Sequence, residues 1–147
     1  FQGSRGLGDV YKRQLYNYGK TNISFSPSFI GSNSINYKYS ENLNFTFLSK
    51  YVGKQYMSNT DQPNSILESY FVNDINITYS LKPEKIFQSI SINFLINNIL
   101  NKEYISNGYY YTYDDTWSVP GQIKTLDGAG YYPQATRNFL AGLVFEF

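Results

Sequence analysis

Two residue types are missing altogether: the chain has no cysteine and no histidine. The first absence excludes a disulfide framework, a thiolate metal site and a thiol nucleophile. The second removes the commonest general base and metal ligand. Catalysis would have to rest on carboxylates, lysine or tyrosine alone, so the expectation is a protein that is not an enzyme, with no cofactor and no metal. Charge is also scarce: Asp, Glu, Lys and Arg make up 16 % of the 147 residues, and the formal net charge is +1. So balanced a chain implies neither a nucleic-acid partner nor an acidic tail. Long hydrophobic runs are lacking too. No stretch reaches the roughly 18 apolar residues of a transmembrane helix, and no secretory signal opens the chain.

Aromatic residues are what the chain does have: 19 % of the total, with 16 Tyr and 11 Phe. That is too aromatic for disorder and too weakly charged for an ordinary soluble surface. Alternation with period two, the mark of a strand with one apolar and one polar face, recurs along it. In "SNSINYKYS", Ile35, Tyr37 and Tyr39 alternate with Ser34, Asn36 and Lys38. After a tight connection at Glu41-Asn42, "LNFTFLSKYVGKQYM" sets Leu43, Phe45, Phe47 and Tyr51 against Asn44, Thr46, Lys50 and Lys54. "ESYFVNDINITYSL" sets Phe71, Ile75, Ile77, Tyr79 and Leu81 against Asp74, Asn76, Thr78 and Ser80. "SISINFLINNIL" sets Ile90, Ile92, Phe94 and Ile96 against Ser91, Asn93 and Asn97. The closing "RNFLAGLVFEF" sets Phe139, Ala141, Leu143, Phe145 and Phe147 against Asn138, Leu140, Gly142, Val144 and Glu146. Five up-and-down strands are predicted, with a polar loop around Asp61, a turn at Pro83, and a long connection from about Ser106 to Thr136.

Three features point beyond a soluble sheet with one wet face. Lys38, Lys50, Lys54, Asp74 and Glu146 all fall on the polar side, as a lipid-facing surface requires when Lys or Arg at mid-bilayer costs about 2–4 kcal/mol. Arg137 breaks the rule only at a loop end, while Leu48, Val52, Leu140 and Val144 dilute the polar side. The segments run to about 9–14 residues, against about 5–6 for a usual strand and about 9–11 for a tilted bilayer crossing. Short and long connections alternate, as periplasmic turns and outer loops do in bacterial outer-membrane barrels. With Phe147 in the periplasm, the Asp61 loop and the long connection fall outside. The expected fold is all-β: an antiparallel up-and-down transmembrane barrel of which this chain supplies the last five strands. Five strands alone leave open edges that lipid does not tolerate. The opening "FQGSRGLGDVYKRQ" resembles translated adapter read-through, so residues 1–14 are expected to be non-native and 15–147 to be the barrel portion; Phe147 reads as a true C-terminus.

Three spaced motifs carry a family resemblance. "YVGKQYMSNT" (Tyr51 to Thr60), "NNILNKEYISNGYYYTY" and "YYPQATRNFLAGLVFEF" together resemble the end of TonB-dependent outer-membrane receptors of the Bacteroidetes type; "SFSPSFIGSNSINYKY" fits the preceding strand. The resemblance implies a 22-stranded barrel filled by an N-terminal plug, in the outer membrane of a Gram-negative bacterium. It implies uptake of a scarce nutrient (an iron-siderophore first, otherwise cobalamin or a glycan) driven by the TonB–ExbB–ExbD complex through the plug region. It also implies that Phe139, Leu143, Phe145 and Phe147 form the signal read by the barrel-assembly machinery.

The most site-like stretch is "GYYYTYDDTW". Tyr109, Tyr110, Tyr111, Tyr113 and Trp117 are candidates to stack on a sugar or planar chelate, with Asp114 and Asp115 adding hydrogen bonds or a cation site. The same aromatics would equally serve to pack a long loop against its neighbours. Adjacent Asp114 and Asp115 point apart on an extended chain and do not suggest a catalytic pair. Lys50, Lys54, Asp74 and Glu146 are expected to meet plug or water in the lumen. The alternative function is a soluble or surface β-sandwich that binds carbohydrate through the aromatic loop; a small adhesin barrel is a lesser one.

Overall fold

The structure, a computed structural model, describes residues 17–83 and 88–147. The adapter-like segment 1–14 and part of the Pro83 turn lie outside the described residues. The elements are β1 (Ile30–Lys38), β2 (Leu43–Val52), β3 (Gln55–Tyr56), β4 (Ile66–Leu67), β5 (Tyr70–Leu81), β6 (Ser89–Asn97), β7 (Ile105–Asp115), β8 (Lys124–Pro133) and β9 (Asn138–Glu146), with one 3-10 turn at Pro63–Ser65. Every pairing is antiparallel. Five strands form one sheet in the order β1-β2-β5-β6-β9, while β3-β4 and β7-β8 are separate two-stranded units. The protein is therefore all-β, and its main sheet is open, with β1 and β9 at its edges.

Register carries the alternation across all five strands. Ile35, Phe47, Ile75, Ile96 and Phe139 form one row, and Tyr37, Phe45, Ile77, Phe94 and Ala141 form the next. Such cross-strand apolar neighbours are the unit by which a sheet face is stabilised. The Phe94 and Phe139 rings stack at 6.2 Å. Among the described residues nothing covers this face at its margins, where Ile35, Phe139 and Leu143 keep about 60 % of their surface exposed. The face holds one polar row: Ser49 Oγ donates to Asn73 Oδ1 at 2.6 Å, and both side chains are buried.

The opposite face is knitted by small polar pairs lying directly across from each other. Thr78 Oγ1 donates to Asn93 Oδ1 at 3.0 Å, and the Ser80 and Ser91 hydroxyls share a hydrogen bond. Asn97 donates to Asn138, and Ser89 Oγ donates to Glu146 Oε2 at 2.6 Å. Leu95 and Leu140, directly paired, are apolar exceptions on this face, as are Leu48, Val52, Val72 and Val144.

Antiparallel order sends the connections alternately to the two ends of the sheet. At one end the Ser40 hydroxyl accepts from the Asn42 and Leu43 amides and closes a tight turn. The stretch 53–69 and the stretch 98–137 leave from the other end. The second strand, expected to run through Met57, stops at Val52. Gly53 donates its amide to the Phe29 carbonyl, and a Cβ there would sit a tight 3.1 Å from that oxygen, so glycine eases the chain's departure from the sheet. Lys54 consequently leaves the sheet's polar face and lies over the Tyr56 ring at 5.6 Å. The buried apolar residues Val52, Met57, Leu67 and Val72 all belong to this end. The core joins Val52 and Val72 of the sheet to Met57 and Leu67 of the shorter excursion.

Candidate functional site

The connection expected as a loop from Ser106 to Thr136 is largely a β-hairpin. β7 and β8 pair from Ile105 opposite Pro133 to Asp115 opposite Lys124, with one irregularity between Ile105 and Asn107. Its two faces differ sharply. Tyr109, Tyr111 and Tyr113 point to one side, where they face Gly130, Gly128 and Leu126 across the ladder. Gly128 is what makes room for a ring: a Cβ there would meet Tyr111 Cζ at 2.6 Å. Gly130 stands in the same relation to Tyr109. These rings therefore lie down across the neighbouring strand, one side on glycine backbone and the other outward.

The result is a continuous aromatic strip. Tyr109 and Tyr111 are 6.2 Å apart and 21° from parallel, Tyr111 and Tyr113 are 6.3 Å apart at 20°, and Tyr113 and Trp117 are 6.1 Å apart at 7°. Tyr132 leans on Tyr109 at the base. All five rings are exposed, Trp117 most of all at 69 %. The tip is held by Asp115, whose Oδ1 accepts from the Trp117 and Ser118 amides at 3.1 and 3.0 Å. The Ser118 hydroxyl foremost, and then the Ser118 and Trp117 amides, hydrogen-bond the Asp115 carboxylate and hold it below the usual carboxylate range. Asp114 faces the other side and accepts from Thr125 Oγ1 at 2.7 Å.

The hairpin's other face is a docking surface. Tyr110 is half-buried there, and burial followed by the Asp127 carboxylate raises its phenol above the ordinary value. Asn64 Nδ2 donates to Asp127 at 2.8 Å, and the Tyr131 hydroxyl donates to the Asn64 carbonyl at 3.0 Å. Gly108 packs so closely that a Cβ would meet Met57 Sδ at 2.6 Å. The long hairpin and the β3-β4 unit thus form one packed body at a single end of the sheet. A cavity of about 370 Å³ borders Tyr110 and Asp127, and a larger open one of about 630 Å³ lies between Ile66, Leu67, Tyr104, Ile105, Tyr131 and Pro133.

Both feet of the hairpin are tied to the sheet through Asn98. Its side chain donates to the Lys102 and Ala135 carbonyls and accepts from the Lys102 amide, while its own amide donates to Asp74 Oδ1 at 2.7 Å. Asn98 and Asn101 both take positive φ, near 51° and 54°, a conformation asparagine tolerates better than most residues. Asn101 Oδ1 also receives the Arg137 amide.

Of the seven sequence-chosen residues, Tyr109, Tyr111, Tyr113 and Trp117 come together as the exposed strip. Tyr110 turns to the docking face, and Asp114 and Asp115 are engaged within the hairpin. Tyr132, Gly128 and Gly130 were missed; "DGAGYY" opposite a Tyr-x-Tyr-x-Tyr run was the available signal. Phe139, Leu143, Phe145 and Phe147 are exposed on the apolar side at β9 and its end. Among the described residues no group of three acidic, histidine or cysteine side chains is placed to hold a metal ion. Comparison of the chain with protein-family models, curated proteins and solved structures finds no match.

Proposed function

We propose that the chain is the C-terminal portion of the barrel of a TonB-dependent outer-membrane receptor, an uptake protein rather than an enzyme. The observation that carries this reading is the sheet itself. Five antiparallel strands expose one face that is apolar but for the Ser49–Asn73 row, and turn small, mutually hydrogen-bonded polar groups to the other, the pattern a wall between lipid and a watery lumen needs. Short turns at one end and the packed excursions at the other match periplasmic and outer sides. Among the described residues β1 and β9 stand at the two edges of the sheet, and these edges would join further strands, since an edge in lipid leaves backbone groups without partners. The ligand, an iron-siderophore, cobalamin or a glycan, would be met by the outer excursions, and energy would come from the TonB–ExbB–ExbD complex through a plug. Phe139, Leu143, Phe145 and Phe147 would be read by the barrel-assembly machinery. A β-sandwich would need a second sheet over the apolar face, and among the described residues none covers it.

The test is the behaviour of that face. The expressed chain should fold only in detergent or lipid, and in an intact gene a plug and TonB box should precede it. A soluble, monodisperse chain in plain buffer would overturn the reading.

A further inference from the structure

We propose that the Tyr109–Tyr111–Tyr113–Trp117 strip is a platform for an extended, uncharged, equatorially linked polysaccharide, such as a β-1,4-glucan. Three properties of the strip lead there. Because Tyr109 and Tyr111 lie flat over Gly130 and Gly128, the exposed part of the strip is a row of ring faces and not a set of ridges with clefts between them. A flat row suits a ligand whose own surface is flat and carries C–H groups. Sugars joined through equatorial oxygens give such a ribbon, with axial hydrogens on both faces and hydroxyls along the edges. A polyproline helix, by contrast, is held in grooves between aromatic side chains.

The second property is length. Two residues of strand advance about 6.7 Å, and the rings repeat at 6.1–6.3 Å, so the strip spans several sugar units. A compact chelate would touch one or two rings and leave the rest exposed. The third property is charge. Between Ile105 and Pro133 the hairpin carries Asp114, Asp115 and Asp127 against Lys124 alone, which disfavours polyanions, including single-stranded nucleic acids that otherwise stack on aromatic rows. Asp115 acts as a positioning residue: by accepting the Trp117 and Ser118 amides it sets the indole nearly parallel to Tyr113 and completes the row.

The inference relies on the receptor reading only for placing the hairpin on the outside of a cell; the binding itself does not need it. Trp117 is the sole tryptophan, so its fluorescence reports on the strip directly. The full chain, folded in a sugar-free detergent, is titrated with glucose, cellobiose and longer cello-oligosaccharides to cellohexaose. Affinity should rise at least tenfold from cellobiose to cellohexaose. Tyr111→Ala and, by calorimetry, Trp117→Ala should each weaken cellohexaose about tenfold, whereas Tyr111→Phe should bind as the parent does. No binding by a chain with a cooperative unfolding transition overturns the proposal. So does affinity independent of chain length, or a proline-rich peptide or ferric chelate that quenches Trp117 where cellohexaose does not. A chain soluble without detergent that shows the length dependence keeps this inference and sinks the receptor reading; a lipid-dependent chain that ignores the sugars does the reverse.

Discussion

At Gly108 a methyl group would sit 2.5 Å from the Gly130 carbonyl oxygen and 2.6 Å from the Met57 sulfur. Backbone cannot yield as a side chain can, so Gly108→Ala should destabilise the protein by about 1–3 kcal/mol, read from denaturant unfolding. Gly128→Ala first meets the movable Tyr111 ring; it should cost less stability but lift that ring off the strip. Asp115 gives a second residue-scale prediction. Its carboxyl is held below the usual range in the folded state. Its contribution is therefore complete above the ordinary value near 3.9 and is lost as pH falls through the lowered one. Trp117 emission should accordingly change only below about pH 3.9, and Asp115→Asn should remove that step. The sequence marked Asp115 as a hydrogen-bonding group but not its partners. An Asp followed two and three residues later by free amides is a turn signal, hidden here because an aromatic run around it suggested a ligand.

Strands in the main sheet were readable because each has one dominant period. Phe45, Phe47, Phe94 and Phe139 fall where alternation puts them, and so do Asn76, Ser80, Ser91 and Asn93, while Ser49 and Asn73 depart from it. The β7-β8 hairpin was not readable by the same rule. Tyr109, Tyr110 and Tyr111 in succession blur the alternation, and its partner strand holds Gly128 and Gly130, which weaken strand propensity and take their meaning only from the rings opposite. The break after Val52 was missed for a related reason, since Gly53 matters through the Phe29 carbonyl, far away in sequence. At this scale Asn98 is the decisive side chain, holding both feet of the hairpin at once. Asn98→Ala would leave those carbonyls and an amide without their partner and place alanine at positive φ. A loss of about 2–4 kcal/mol follows. Hydrogen exchange should accelerate throughout 105–133 while β2 and β5 stay protected. Leu67, only 2 % exposed, lies in the shorter excursion; Leu67→Ala should cost about 2–5 kcal/mol and loosen the same body.

For the molecule as a whole, the question is which solvent touches the apolar face. Phe94 and Asn93 are neighbours on β6 with side chains on opposite faces, Phe94 level with Ile77 and Ala141, Asn93 level with Thr78 and Gly142. In bilayers Phe94→Arg should lose about 2–4 kcal/mol of folding free energy while Asn93→Arg loses little. Near-equal effects would mean that water wets both faces. The order of strands and the sidedness of their connections could be anticipated from patterning. That both excursions dock into one body could not, because it depends on Asn64, Met57 and Tyr131 meeting across long separations in sequence. The aromatic strip has one more consequence, and it concerns light. Near-parallel rings about 6 Å apart share their electronic excitations, so their ultraviolet transitions split into coupled bands of opposite circular dichroism. The spectrum of the whole protein should carry that couplet on top of its β-sheet signal, and a strand content deduced from the raw curve would come out wrong. Subtracting the spectrum of Tyr111→Ala would recover the couplet and give an optical signature for the assembled hairpin.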